Sequence, residues 1–275
     1  MPEETVTASG VTRIAEAFAD ARTEGRAALM PYLMGGFPDP DGSKAVARTY
    51  ADGGADLIEL GIPFSDPLAD GPVIHAAATA ALQAGTTLES ALEVCAEVSD
   101  RTPVVAMAYA NMILATGSQD FAEKLASAGA AGAIVPDLPL EEARPVREAL
   151  LARGLAYVPL VAPTTPPERR RAICAIADGF VYVVSTVGVT GERSELPPEL
   201  TELIASVREE PEVPAAVGFG IGTPEQAATI GALADGVIIG TRLVRIVAEA
   251  PEIVSATDEV ARFLQQIRSA LAASS

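Results

Sequence analysis

Histidine, lysine and cysteine, the side chains that most often hold metals or form covalent intermediates, are scarce in this chain. One histidine, His75, occurs in 275 residues, and a single imidazole cannot assemble a multi-histidine zinc or iron site. It follows Pro72-Val-Ile at the start of a predicted helix and reads as a surface or capping residue. The two lysines, Lys44 and Lys124, both fall in helical segments. A Schiff-base mechanism needs a lysine projecting into a pocket, which argues against a lysine-dependent aldolase. Cys95 and Cys174 are far apart, form no metal or redox motif, and read as core residues. Basic residues are in deficit: 19 Lys and Arg against 37 Asp and Glu give a net charge of −18. That balance argues against nucleic acid and anionic membrane surfaces as partners. A phosphorylated ligand would be held by backbone N–H groups and helix N-termini instead of a basic cluster. No apolar run reaches the ~18–20 residues of a membrane span, and residues 1–12 lack the pattern of a signal peptide. The expected location is cytoplasmic. Gly-x-Gly-x-x-Gly and Walker patterns are absent as well. Chemistry is left to carboxylates, with tyrosines and backbone dipoles in support: acid–base catalysis with no cofactor and no metal.

The carboxylates are concentrated in one stretch, Asp56-Leu-Ile-Glu-Leu-Gly-Ile-Pro-Phe-Ser-Asp-Pro-Leu-Ala-Asp-Gly-Pro72. Leu57 to Ile62 has the apolar pattern of a strand buried on both faces, interrupted by Glu59. A carboxylate there costs several kcal/mol unless it is paired or faces a cavity that uses it. A proline-stiffened loop follows, carrying Asp66 and Asp70. On residue types alone two readings stand. Either this is a catalytic edge, or Glu59 caps a neighbouring backbone and the aspartates form turns.

Around this stretch the chain alternates. Predicted strands at 27–34, 56–62, 104–109, 132–136, 156–161, 180–185, 215–219 and 236–239 are separated by helical segments, after an amphipathic helix over 10–24. Eight such units match a closed (β/α)₈, or TIM, barrel with an extra N-terminal helix and extra helices after strands 2 and 8. A doubly wound sheet competes, but usually has fewer strands and one dominant Gly-rich turn. No linker divides the chain, so residues 1–275 read as a single domain, with 1–9 a flexible N-terminus. In a barrel the C-terminal strand ends carry the chemistry. Here Gly218-Phe-Gly220 and Gly240-Thr241 fit a phosphate site, or else are only tight turns. The connection 186–197, with Gly188-Val-Thr-Gly191, reads as a lid. Tyr109 and Tyr182 are placed on strands, as packing or pocket lining.

Glu59-Leu-Gly-Ile-Pro-Phe-Ser-Asp-Pro-Leu-Ala-Asp-Gly-Pro72 resembles the signature of the tryptophan synthase alpha chain family. The resemblance continues in order through Tyr109-Ala-Asn111, Pro136-Asp-Leu-Pro139, Ser185-Thr-Val-Gly-Val-Thr-Gly191, Gly218-Phe-Gly220 and Gly240-Thr241. It implies cofactor-independent retro-aldol cleavage of indole-3-glycerol phosphate to indole and glyceraldehyde 3-phosphate. It further implies that Glu59 carries the protons and that Asp70 accepts a hydrogen bond from the indole N–H. By the same resemblance Tyr109, Tyr182, Thr190 and Phe219 bind the substrate, and Gly191, Gly220, Gly240 and Thr241 bind its phosphate. The implied partner is a pyridoxal-phosphate beta chain in an α2β2 heterotetramer. Thr186 and Thr241 stand where some relatives carry arginine and serine, and Arg242 stands where a small residue is frequent; it either adds charge beside the phosphate or caps the helix region. A stand-alone indole-glycerol-phosphate lyase and a weakly catalytic regulatory homologue are the alternatives. Intact Glu59 and Asp70 argue against the latter.

Overall fold

The computed structural model describes residues 8–184, 198–209, 213–218 and 220–273. Its strands are β1 Ala28–Met34, β2 Ile58–Gly61, β3 Val104–Met107, β4 Gly132–Ile134, β5 Ala156–Val158, β6 Leu160–Val161, β7 Val181–Val184, β8 Ala215–Gly218 and β9 Gly236–Ile239. All pair in parallel, in the order β5-β4-β3-β2-β1-β9-β8-β7-β6. The two ends of that order are neighbours in the chain, separated by Pro159 alone.

The run 156–161, expected as one strand, is therefore two half-strands. Proline cannot donate to a ladder, so the first half pairs with β4 and the second with β7. The Pro159 carbonyl still accepts from the Tyr182 N–H at 3.0 Å, and the Tyr157 carbonyl accepts from the Asp178 N–H at 3.0 Å. These bonds join the broken strand to the segment leading into β7 and close the barrel.

The expected helices are found, including two after β2 (Pro72–Gln83 and Leu88–Val98) and two after β9 (Thr241–Glu249 and Ile253–Ala273). Pro40, Pro72, Pro167 and Pro224 each stand in a first turn, where the missing N–H has no partner to lose. One helix was not anticipated. The strand predicted over 104–109 stops at Met107, and Tyr109 is the N-cap of Ala110–Thr116. Seven residues are too few to show a 3.6-residue repeat. The first N–H of that helix is satisfied from far away in sequence, by Asp137 Oδ1 at 2.8 Å. Among the described residues no helix is long and apolar enough to cross a membrane.

The helix Gly10–Thr23 covers the N-terminal end of the barrel. Of the segment 1–9, residues 1–7 lie outside the described residues, while Ser9 Oγ accepts from the Thr12 N–H at 3.2 Å and caps this helix. Ile14, Phe18 and Ala21 are buried. Phe18 meets Phe180 with ring centroids 5.7 Å apart, and the Gly10 N–H donates to the Gly154 carbonyl at 2.7 Å. Apolar side chains thus seal the N-terminal end of the barrel.

At the sealed end Arg26, 8% exposed, leads into β1 and meets Asp56 with two bonds, Nη1–Oδ2 at 2.6 Å and Nη2–Oδ1 at 2.8 Å. Asp56 Oδ2 also accepts the Leu29 N–H at 2.7 Å, so one carboxylate ties β1 to the start of β2. Removing one member of such a pair leaves the other charge uncompensated. Asp56→Ala is expected to cost about 3 kcal/mol of unfolding free energy in urea denaturation, the half-exposed Glu24 beside Arg26 limiting the loss.

Candidate active site

The open end of the barrel holds a cavity of about 540 Å³. Its floor and walls come from Tyr32 on β1, Glu59 on β2, Met107 on β3, Leu160 and Val161 on β6, Tyr182 and Val184 on β7, and Ile238 on β9. Residues 68–71 and Ile74 cover one side, and Gly220, Gly240 and Thr241 line another. An apolar hollow with a few polar groups aimed into it is the usual form of a small-molecule site.

Glu59 is the most unusual of those groups. It is 1% exposed, and neither carboxylate oxygen has a hydrogen-bond partner among the described residues. It therefore caps no neighbouring backbone there. Burial, and after it the charge of Asp70, push its carboxyl from the ordinary 4.5 to about 8. At neutral pH the free site holds Glu59 mostly as the acid, able to give a proton and to take one back.

The two loop aspartates, equivalent as residue types, are separated by the fold. Asp66 is exposed and accepts from Ser65 Oγ. Asp70 lines the cavity, and its Oδ1 accepts from the Tyr109 hydroxyl at 2.9 Å. The same hydroxyl accepts the Ala69 N–H at 3.2 Å, and the Tyr109 ring stacks on Phe64 at 5.3 Å. Loop 63–72 is thus pinned at both ends to Tyr109, two residues past β3. Burial raises the Asp70 carboxyl, but the bond from Tyr109 and the nearby His75 oppose that rise by favouring the ionised form. Both carboxyl groups of the cavity are raised, but only Asp70 has neighbours that favour its ionised form.

At the other side Gly220 has φ +83°, and a Cβ there would meet nothing within 4 Å. The backbone is bare toward the cavity and in a conformation that favours glycine. Helix Thr241–Glu249 starts beside it with no side-chain cap, whereas helix Pro224–Gly231 is capped by Thr223 and Gln226. The N–H groups of the uncapped first turn, with the positive end of the helix dipole, suit an anion. Arg242 does not join them. Its guanidinium lies 3.4 Å from Glu259 and 5.7 Å over the Phe263 ring, turned to the last helix. This corrects the idea that Arg242 adds charge beside a phosphate.

Of the residues singled out in the sequence, Glu59, Asp70, Tyr182, Gly220, Gly240 and Thr241 line the cavity, and Tyr109 reaches it through Asp70. Thr190, Gly191 and Phe219, with Thr186 and the connection 186–197, lie outside the described residues. Lys44 and Lys124 pair with Glu93 and Glu89, both outside the cavity lining. Cys95 and Cys174 are buried, and His75 is exposed. Two contributors carried no signal in the sequence. Phe64 looked like one apolar residue in a loop, and Tyr32 like one more residue of an apolar strand.

Comparison with known proteins identifies the family. The family model for the tryptophan synthase alpha chain matches residues 18–273. The tryptophan synthase alpha chain of Thermosynechococcus vestitus is 45% identical over 264 residues, 95% of this chain and 98% of the relative. That of Carboxydothermus hydrogenoformans is 47% identical over 239 residues, 86% of this chain and 90% of the relative. A solved structure of Mycobacterium tuberculosis tryptophan synthase superposes with a TM-score of 0.87 at 36% identity, over 96% of this chain and 99% of that one. With the family model spanning almost the whole barrel and relatives matched nearly end to end, the chain belongs to the tryptophan synthase alpha chain family.

Proposed function

We propose that Glu59 and Asp70 carry out the family's lyase half-reaction in this cavity, the retro-aldol cleavage of indole-3-glycerol phosphate to indole and glyceraldehyde 3-phosphate. The observation that carries the reading is Glu59: a buried acid, unpartnered among the described residues, in the wall of a cavity that also holds a second carboxylate. The indole ring fits the apolar side, with its N–H donating to Asp70. The phosphate lies at the bare backbone of Gly220 and Gly240 and the uncapped turn at Thr241. Tyr182 and Tyr109 contribute to the pocket wall, Thr190 and Phe219 to the remaining substrate contacts, and Gly191 to the phosphate site.

Glu59 first gives its proton to ring carbon C3, while ionised Asp70 stabilises the positive charge that develops on the ring. The carboxylate so formed takes the proton from the hydroxyl on the adjoining side-chain carbon. The bond from C3 to that carbon breaks, its electrons return to the ring, and the hydroxyl carbon leaves as the aldehyde. Glu59 ends protonated, as it began, so no cofactor or metal enters the balance. Its raised pKa suits the first step, because a carboxyl of ordinary pKa would already be ionised at neutral pH.

The partner is a beta chain that uses the indole, in an α2β2 assembly, and the compartment is the cytoplasm. Leu68, 85% exposed in the loop over the cavity, and Leu114, 73% exposed on the helix after β3, support a partner seated at the mouth of the barrel. Release of glyceraldehyde 3-phosphate from indole-3-glycerol phosphate, measured alone and with the beta chain of the same genome, tests the whole reading. Slow turnover that rises sharply with the beta chain is the expected result. Fast turnover indifferent to it would mean a stand-alone lyase, and none in either case a different substrate.

Glu59→Gln is expected to lower turnover by ~10²–10⁴-fold, the usual contribution of a general acid–base group. It also carries a stability signature. A carboxyl whose pKa rises on folding holds more protons folded than unfolded, so stability falls as pH rises from about 4.5 to about 8. Glu59→Gln lacks that loss. Its unfolding free energy should match the parent near pH 4.5 and exceed it by a few kcal/mol above pH 8; equal pH dependence in the two proteins would show Glu59 ionised throughout. Asp70→Asn is expected to reduce turnover ~10²–10³-fold with substrate affinity largely kept. Gly220→Leu should raise KM for the phosphorylated substrate and leave the affinity for free indole near that of the parent, a split readable by steady-state kinetics and indole titration.

A further inference from the structure

The mechanism above gives Tyr32 no part, yet its geometry is tightly constrained. Tyr32 is the register partner of Glu59 across β1 and β2, so both side chains point into the barrel. The ring then runs up the wall. A Cβ on Gly61 would lie 2.1 Å from Tyr32 Oη, so the hydroxyl occupies space that only a glycine leaves open. Gly61 is two residues beyond Glu59 on the same face and ends β2 just before the loop that carries Asp70. Tyr182 repeats the device, with its hydroxyl 2.1 Å from where a Cβ of Gly218 would stand. Tyr32 is 5% exposed and lines the cavity. A phenol and a buried carboxyl that has no partner among the described residues thus face one cavity.

We propose that Tyr32 is a positioning residue for catalysis, its hydroxyl standing between Glu59 and Asp70 and donating to the carboxylate that Glu59 becomes once it has given up its proton. This rests on Glu59 as the acid and base. When the indole ring fills the cavity, water leaves, and a carboxylate formed there needs a donor from the protein. Tyr32 approaches from β1, Tyr182 from β7 and Asp70 from the loop, while Tyr109 and His75 act on Asp70. Of these, only the phenols can donate to Glu59 without adding charge. Burial, and next the charges of Asp70 and Glu59, hold the Tyr32 phenol well above its ordinary 10, so it stays a neutral donor over the working pH range.

Tyr32→Phe keeps the wall and removes only the oxygen. A donor to a carboxylate favours its ionised form, so its loss makes Glu59 a weaker acid. The variant should show kcat lower by about tenfold with KM within about twofold. The alkaline limb of its kcat profile, which reports the substrate-bound enzyme, should move up by about one pH unit, the shift that matches a tenfold change. A purely structural role would change melting temperature or KM and leave that limb in place. As a second readout, the Glu59 carboxyl is titrated by ¹³C NMR in both proteins with indole and glycerol phosphate bound. A higher midpoint in Tyr32→Phe supports the proposal, and the same midpoint or an unmoved limb overturns it. If Glu59→Gln itself keeps parental turnover, the acid–base assignment fails instead, which separates the two outcomes.

Discussion

A carboxyl group taken out of water costs several kcal/mol to ionise unless something pairs with it, and Glu59 has no such partner among the described residues. Much of the architecture can be understood from that cost. The carboxyl sits on a strand buried on both faces, in a barrel whose far end is sealed by the Gly10–Thr23 helix. It faces the cavity where a substrate would sit. The fold carries an unfavourable group at the one place where a substrate would relieve it, a common relation between strain and function.

The second carboxylate is managed in the opposite way. Asp70 lies on a loop, where precise placement has to be imposed from outside. Tyr109 does this with one hydroxyl that accepts from Ala69 and donates to Asp70, while its ring stacks on Phe64. Tyr109 is itself fixed as the N-cap of a helix whose first N–H is satisfied by Asp137. The chain of constraints runs from the end of β4 through Tyr109, two residues past β3, to the loop after β2. It explains why a helix too short to be legible in sequence still has a definite place in the structure.

The acidic composition and the handling of an anion are also connected. A chain with net charge −18 repels a phosphorylated ligand at long range, though salt screens that repulsion within about 8–10 Å. At contact the fold answers with uncapped backbone N–H groups at Thr241 and a bare Gly220, and turns Arg242 away to Glu259 and Phe263. Such a dipole-based site would hold an anion without a full cation beside it.

How much of this was legible beforehand depends on the range of the interaction responsible. Strand and helix alternation, the buried acid at Glu59, the stiff loop after it and the glycines at 220 and 240 are local patterns, set by side-chain type and periodicity, and the sequence by itself determined them. It also argued against lysine and multi-histidine chemistry by simple count. What it left open were contacts between residues far apart in the chain. Pro159 could be seen, but its effect as the closure point of the barrel required β4 and β7 on its two sides. Asp66 and Asp70 were equal as residue types until Tyr109 selected one of them. Arg242 had two plausible directions until the last helix offered Glu259. Tyr32 read as strand packing until β2 placed Glu59 beside it and Gly61 beneath its hydroxyl. Backbone preference is decided within a few residues, whereas hydrogen bonds, desolvation and the fit of a phenol over a glycine are decided by whatever the closed barrel brings within a few ångströms.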